Sequence, residues 1–564
     1  MAWTQRGRTA APAAFSLILA LAVVGPLLGS GYLLMRDAVS TPRSYLTDAA
    51  LGTTDAAARS VPQDAFVATL SAVVDGGIVV KTVLLLALWL AGWGAAQMVR
   101  ALLPFASTPA LLTASTVAIW NPYVAERLLQ GHWSLLVGYA AVPWTVCAAL
   151  TLRRRGRWAS LAACLAAAGL TPTGALLAAS VAIVLAATPG GVHRARRTVV
   201  TLVLAVAASL PWLVATVVSG GGTEGSDPAG VAAFAARAEP GLGTIGSLAG
   251  LGGIWNSDAV PPTRTSVFAL FGTVLLLAVV ALGLAPLWRR RRNPYVLALG
   301  VVAAVAVLGP TLGATGPGLR VGEWAVSNVP GAGLLRDAQK WVALAMPFYA
   351  LAAAAGVVWV GVRLRNRWLP AVAAMLAVVV ALPDLVWGVA GQVEPVRYPS
   401  SWTTVAERLE NEAGDVAVLP AGMFRIFPYS GDAPVLDPAP RMLPLDVLQT
   451  GELIVAGGTV RGEGSRAEGV ESVLVAGGDV ERVRELGVAW VLVERTTPGQ
   501  LGDSQRTLDQ LENVYSDDEL ALYRVPDARE RARSSANWLV GAAHLVWIAL
   551  LVGGVSVAVY RRKT

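Results

Sequence analysis

The chain has 564 residues, 55% hydrophobic and 14% charged, with a mean hydropathy of +0.57 and a formal net charge of +7. Soluble domains carry roughly 25% charged residues, so a soluble enzyme on a single anchor is excluded. The spread of apolar runs excludes a nucleic-acid-binding protein in spite of the basic balance, and Cys147 and Cys164 both lie in apolar runs, which speaks against a disulfide framework or a cysteine zinc site.

A bilayer core takes roughly 20 apolar residues per helix. On that rule spans are predicted at Ala14–Met35, Ile78–Val99, Ala106–Trp120 and Trp133–Leu152. A paired run follows, Trp158–Leu170 and Thr173–Ala187, read as a hairpin of two short helices turning at Thr171–Gly174. Then come Val199–Val218, Val267–Leu287, Tyr295–Ala314, Trp341–Val362, Leu369–Val389 and Trp538–Tyr560. The predicted fold class is a polytopic α-helical membrane protein of about twelve helices, with a small C-terminal α/β domain. The divisions are 1–392 for the membrane domain, 393–536 for the α/β domain, and 537–564 for a last helix with a basic tail.

Basic clusters fall between alternate spans: Arg6 and Arg8, Arg100, Arg153 to Arg157, Arg194 to Arg197, Arg289 to Arg292, Arg363 to Arg367, and Arg561 to Lys563. They hold 20 of the 44 Lys and Arg and no Asp or Glu. The positive-inside rule makes these loops and both termini cytoplasmic, in a plasma-membrane protein whose acids all face outward or lie within the membrane. The first apolar run is long enough to span, beyond what a signal peptide needs. Acid–base chemistry by a carboxylate then belongs to the outer face. A sugar transferase of this layout needs a donor that crosses the membrane, which means a lipid-linked one.

The long outer loops are 36–77, 219–266 and 315–340. The first carries Asp37, Asp48, Asp55, Asp64 and Asp75, with helical pieces suited to the membrane surface. Asp37 stands directly after the first span, where a carboxylate suits the part of general base toward an acceptor hydroxyl. A phosphate leaving group needs little protonation, so one carboxylate suffices. A lipid phosphate needs cations at the headgroup plane. Arg336 and Lys340, four apart at an expected helix start, are predicted to share a face there, with Arg36 a further cation. The compact outer segment WNPYVAERLLQGHW places Glu126, Arg127, His132 and Trp133 together. With Trp255 and Asp258 of the glycine-rich third loop they are the predicted acceptor- or sugar-binding residues. Many of the 19 tryptophans also mark helix ends, as an aromatic belt requires. There is no zinc-spaced His pair, P-loop, nucleophile elbow or dinucleotide fingerprint.

Taken together, these features resemble the GT-C superfamily of polyprenyl-phosphate-sugar-dependent glycosyltransferases. Members have many membrane helices and a long first outer loop with a catalytic acid soon after the first helix, as Asp37 is here. The stretch NPYVAERLLQGHWSLLVGYAAVPW resembles the region of such proteins, and of YfhO-type membrane proteins, where an Asn-Pro and a Gly-His or Gly-Gln precede the next helix. GLLRDAQKW resembles their LR-x-x-x-K segment. The Ala/Val/Arg-rich composition looks actinobacterial, and in that setting the family includes arabinofuranosyl- and mannosyltransferases of arabinogalactan and lipoarabinomannan.

The resemblance implies transfer of arabinofuranose or mannose from a polyprenyl-phosphate donor to a cell-envelope glycan or lipid. Its implied partners are the donor lipid, a glycan or glycolipid acceptor and membrane lipids, with no nucleic acid. No cofactor is called for, and a divalent cation stays open, because the first loop lacks the adjacent acidic pair that several members use. The alternatives are a non-catalytic scaffold and a lipid or glycan transporter of envelope assembly. Ion-coupled transport would need ionisable residues within the spans, and there His544 is the clearest while Asp384 lies near an outer end.

Overall fold

A computed structural model describes residues 2–54, 58–219, 226–455, 458–462, 464–528 and 537–563. Asp55 of the first loop lies outside the described residues. Among these, eight helices are long and apolar enough to cross a bilayer: Ala10–Leu28, Gly76–Leu102, Trp133–Arg155, Arg194–Val218, Phe268–Trp288, Pro294–Gly313, Ala338–Arg363 and Asn537–Tyr560. A ninth is obtained if the pair Leu369–Ala381 and Pro383–Gly391, bent by 80°, counts as one span. The expected twelve are therefore not reached. Thr108–Ile119 is a buried helix of 12 residues, about 18 Å long at 1.5 Å per residue. Ala159–Ala168 and Pro172–Ala187 are likewise shorter than the core is thick.

Those two short helices nevertheless form the expected hairpin. The chain leaves Arg155 and returns to where Arg153 donates to the carbonyls of Thr188 (3.0 Å) and Gly190. At the far end Thr171 caps the second helix by accepting from the Gly174 amide at 3.0 Å, with Pro172 in its first turn. Gly174 meets the backbone of Gly138, well toward the other end of the Trp133–Arg155 helix. The alternation of basic loops is thus kept. The Arg290 guanidinium lies over the Phe105 ring at 4.3 Å, which joins two further turns of the same end.

At the opposite end the first helix stops earlier than predicted. Helix Ala2–Val24 passes into a 3-10 turn, Gly25–Leu28, and then into strand Tyr32–Met35. That strand pairs antiparallel with Ala38–Val39 and with Pro395–Val396, the first strand after the membrane part. Strand residues alternate between faces. Leu33 accordingly packs into the membrane core and Leu34 into the core of the C-terminal domain.

The C-terminal domain is built on a four-stranded sheet ordered Glu512–Ser516, Leu520–Arg524, Val488–Glu494, Asp415–Leu419. Only the last pair is parallel. The parallel pair lies at one side of the sheet and is largely buried, and helices Ser401–Leu409 and Ser465–Val475 contribute apolar residues to the two cores flanking it.

Candidate functional site

Asp37 does not end a helix. It sits in the two-residue turn Arg36–Asp37 between strand partners Met35 and Ala38. Arg36 adopts φ +45°, a left-handed conformation such tight hairpins require. The tip is docked on the segment before Trp133–Arg155: the Asp37 amide donates to the Gln130 carbonyl at 3.1 Å. Gly131 makes this docking possible. It has φ +82°, and a Cβ there would meet the Ala38 amide and the Met35 carbonyl at 2.3 Å. Helix Pro122–Leu129, capped by Asn121 accepting from the Val124 amide, holds this segment rigid.

One carboxylate oxygen of Asp37, Oδ2, accepts from Gln130 Nε2 (3.1 Å) and His132 Nε2 (2.8 Å). The other, Oδ1, has no hydrogen bond among the described residues, and the side chain is 30% exposed. The tautomer of His132 follows from its second neighbour. Arg127 Nη1 lies 3.0 Å from His132 Nδ1 and can only donate, so Nδ1 accepts and the ring proton resides on Nε2, facing Asp37. Burial depresses the His132 imidazole below its ordinary value, against the pull of Asp37, which favours the neutral ring. For Asp37 burial works upward, but the His132 hydrogen bond, with Gln130 and the Lys340 charge, outweighs it and holds the carboxyl below its ordinary value.

Arg127 is fully buried and bidentate on Asp337, at 2.9 and 3.1 Å, and also donates to Gln339 Oε1. Lys340 Nζ lies 3.4 Å from Asp337 Oδ2 and is 24% exposed. Burial again opposes ionisation of Asp337, yet the Arg127 and Lys340 charges drive its carboxyl far below the usual range. Gln339 donates to Glu126 at 2.9 Å, and Glu126 also accepts from the amides of Gly253 and Ile254 in the third loop. Burial and the nearby Glu239 carboxylate raise Glu126 well above its ordinary value. Asn256 closes the circuit, donating to Gln130 Oε1 at 2.8 Å.

Several predicted residues are placed differently from expectation. Arg336 and Lys340 do not share a helix face. The stretch is two 3-10 turns, Ala332–Leu335 and Ala338–Ala345, broken at Asp337 with ψ +87°. Arg336 turns to the Phe234 ring, 5.5 Å away, while Lys340 turns to Asp337. Arg36 is buried, donating to the Leu129 carbonyl (2.6 Å) and the Asp258 carbonyl (2.5 Å). Glu126 and Arg127 are fully buried and offer a sugar no surface; Arg127 instead holds His132, while Trp133, 3% exposed, borders the cleft between the first loop and the C-terminal domain. The Asp258 side chain is exposed, and Trp255 meets Phe234 edge-on at 4.9 Å.

Sequence reasoning missed Asp337, Gln130, Gln339, Asn256 and Glu239. The signal for Asp337 was present inside GLLRDAQKW, as the only acid beside two cations. Among the described residues no group of three or more His, Cys, Asp or Glu converges on a point that would hold a metal ion.

A cleft of about 930 Å³ opens between the first loop and the C-terminal domain. Its walls include Val39, Tyr45, Asp64, Trp133, Arg441 and Asp446. Val39 and Trp133, in its lining, are sequence neighbours of the hairpin and of His132.

These features describe a chain with several helices able to cross a bilayer, whose charged cluster lies where the Arg36–Asp37 hairpin meets the segment before helix Trp133–Arg155 and the Asp337–Lys340 stretch. Comparison with solved structures finds a likeness of fold for the chain. It matches a single-particle cryo-EM structure of the arabinofuranosyltransferase AftD from mycobacteria, with a TM-score of 0.57 over 92% of this chain at 16% sequence identity. The chain spans about two fifths of the length of that protein, the match covering 41% of it. The GT-C resemblance read from the sequence is thereby borne out as a likeness of fold. No family model and no curated protein sequence matches the chain.

Proposed function

We propose that the chain is a membrane glycosyltransferase that moves a sugar from a lipid-phosphate donor to a cell-envelope glycan or glycolipid acceptor. The observation that carries this reading is the pairing of an ionised, half-open Asp37 with a solvent-reaching Lys340 inside a fold shared with an arabinofuranosyltransferase. Arabinofuranose is the first sugar to test and mannose the second. The basic loops and both termini are assigned to the cytoplasm, and the C-terminal domain and Asp37 to the outer face, on the distribution of charge.

In this mechanism the acceptor hydroxyl attacks the anomeric carbon of the donor. The bond from that carbon to the phosphate oxygen breaks, and the lipid phosphate leaves with the electron pair. The hydroxyl proton passes to Asp37 Oδ1, the oxygen without a hydrogen bond. His132 and Gln130 fix Oδ2 and so aim the free oxygen; neutral His132 is held in the required tautomer by Arg127. Lys340 meets the negative charge that grows on the leaving phosphate. Arg336, stacked near Phe234 and Trp255, is assigned to the donor lipid farther from the reacting carbon. The cleft beside Tyr45 and Trp133 takes the acceptor chain.

The test is a transfer assay on protein reconstituted in lipid, with radiolabelled polyprenyl-phosphate arabinose or mannose and envelope acceptors, comparing wild type with Asp37→Asn. Transfer that is lost in the variant supports the reading. Folded wild type that transfers from neither donor overturns it and leaves a scaffold role.

A further inference from the structure

The stretch from Arg127 to Thr223 contains no acidic residue, yet it includes Arg153, Arg154, Arg155, Arg157, Arg194, Arg196 and Arg197. Most of these are exposed, but Arg153 is only 4% exposed. Its Nη2 donates to the carbonyls of Thr188 and Gly190. Its Nε and Nη1 are buried and have no hydrogen-bond partner among the described residues. A buried guanidinium with three N–H bonds unmet and no carboxylate paired with it among the described residues is expensive, and this cost marks a missing acceptor.

The surroundings say what kind of acceptor. Gly191, at φ +80°, lies against the guanidinium, with its Cβ direction 3.3 Å from Nη2 and 3.8 Å from Nη1. The exposed turn Pro189–Gly191 that covers Arg153 leads into the 25-residue helix Arg194–Val218. No side chain caps the first turn of that helix, which begins with His193 in the left-handed region. Arg197, one turn in, reaches back to donate to the Arg153 carbonyl. Cations, uncapped helix amides and a two-glycine turn at one point favour a tetrahedral oxyanion.

We propose that Arg153, Arg197 and the first turn of helix Arg194–Val218 form a binding site for a phosphate group, reached by displacement of the Pro189–Gly191 turn. Arg153 and His132 lie at opposite ends of helix Trp133–Arg155, roughly 30 Å apart along the axis. The site is therefore separate from Asp37 and does not depend on the reading given to it. The phosphate comes either from an anionic lipid headgroup of that leaflet or from a free phosphate.

The experiment uses the full chain in nanodiscs and follows its thermal unfolding. One arm adds phosphatidylglycerol to phosphatidylcholine discs, and the other adds inorganic phosphate to discs of phosphatidylcholine alone. Wild type is compared with Arg153→Gln, with Arg197→Gln, and with Arg289→Gln/Arg292→Gln, which removes charge from another turn of the same end. Size-exclusion profiles report folding, and Arg197→Gln serves if Arg153→Gln fails to fold. The expected result is protection of wild type and of the Arg289/Arg292 variant, with the half-maximal anion concentration raised about tenfold or more in the other two. Protection by phosphatidylglycerol alone assigns a lipid headgroup, and protection by inorganic phosphate assigns a free ligand. No protection by either anion, or equal protection of all variants, overturns the site.

Discussion

Two buried arginines organise this protein, and they differ in what surrounds them. Arg127 is fully buried between Asp337, Gln339 and His132, but its cluster has an open edge: Asp37 is 30% and Lys340 24% exposed. Arg425 of the C-terminal domain is 2% exposed and bonds Glu494 and Asp437, at 0% and 2%, with Gly422 and Phe424 supplying carbonyls. No edge of that second cluster reaches water. Burial and the neighbouring Asp437 raise Glu494 well above its ordinary value, against the pull of Arg425. At Arg127, by contrast, one carboxylate oxygen and one ammonium are left facing outward. A substrate can therefore meet the Arg127 cluster at its open edge as the protein stands, and the Arg425 cluster offers none.

The sharpest break of this comparison is Asp37→Asn. It preserves shape and both Oδ2 partners' positions but removes the base. Transfer should fall by about 10²–10⁴-fold with the unfolding temperature unchanged, measured by initial rates on reconstituted protein. Equal rates in the two proteins would remove Asp37 from the chemistry.

Arg425→Ala should do the reverse. Leaving buried carboxylates uncompensated costs about 3–5 kcal/mol, read as an earlier unfolding step of the C-terminal domain, while transfer per folded molecule is unchanged. A lasting drop in specific activity would show that the sealed cluster also serves the reaction.

Lys340→Gln is expected to reduce turnover by about ten- to a hundredfold, the worth of one hydrogen bond to a charged group. The loss should appear in kcat, since the charge it meets develops as the phosphate leaves.

The pH profile distinguishes the clusters more finely. Protonation of His132 would remove the Nδ1 acceptor that Arg127 uses. Because burial lowers the His132 pKa, the active neutral ring persists below the ordinary imidazole value of about 6.5, and the acid limb should lie on the acid side of it. Asp37, held below its ordinary value, stays ionised throughout and contributes no limb in that range. In His132→Gln the limb should vanish. The smallest effect belongs to Gln130→Ala, a fewfold loss of activity for one neutral hydrogen bond of about 1 kcal/mol.

Much of this arrangement was legible along the chain. Apolar length and alternating basic clusters give the membrane class and the parity of its loops, because transfer to hydrocarbon and the placement of cations act on each segment separately. Asp37, His132 and Lys340 stood out as polar groups beside spans, and the hairpin at Thr171 followed from counting parity. Three things could not be read this way. The first span ends early because Tyr32–Met35 finds strand partners at Ala38–Val39 and at Pro395–Val396, more than 350 residues on. Arg127 finds Asp337 across 210 residues, so neither charge has its real neighbour nearby in sequence. The split of Arg336 from Lys340 depends on the chain abandoning α geometry at Asp337 so that its carboxylate reaches Arg127. Solvation by lipid and water is a property of segments and is written in composition. The pairing that ties Asp37 down, buries Glu126 and leaves Lys340 open is set by which distant surfaces close on each other, and only the tertiary structure decides that.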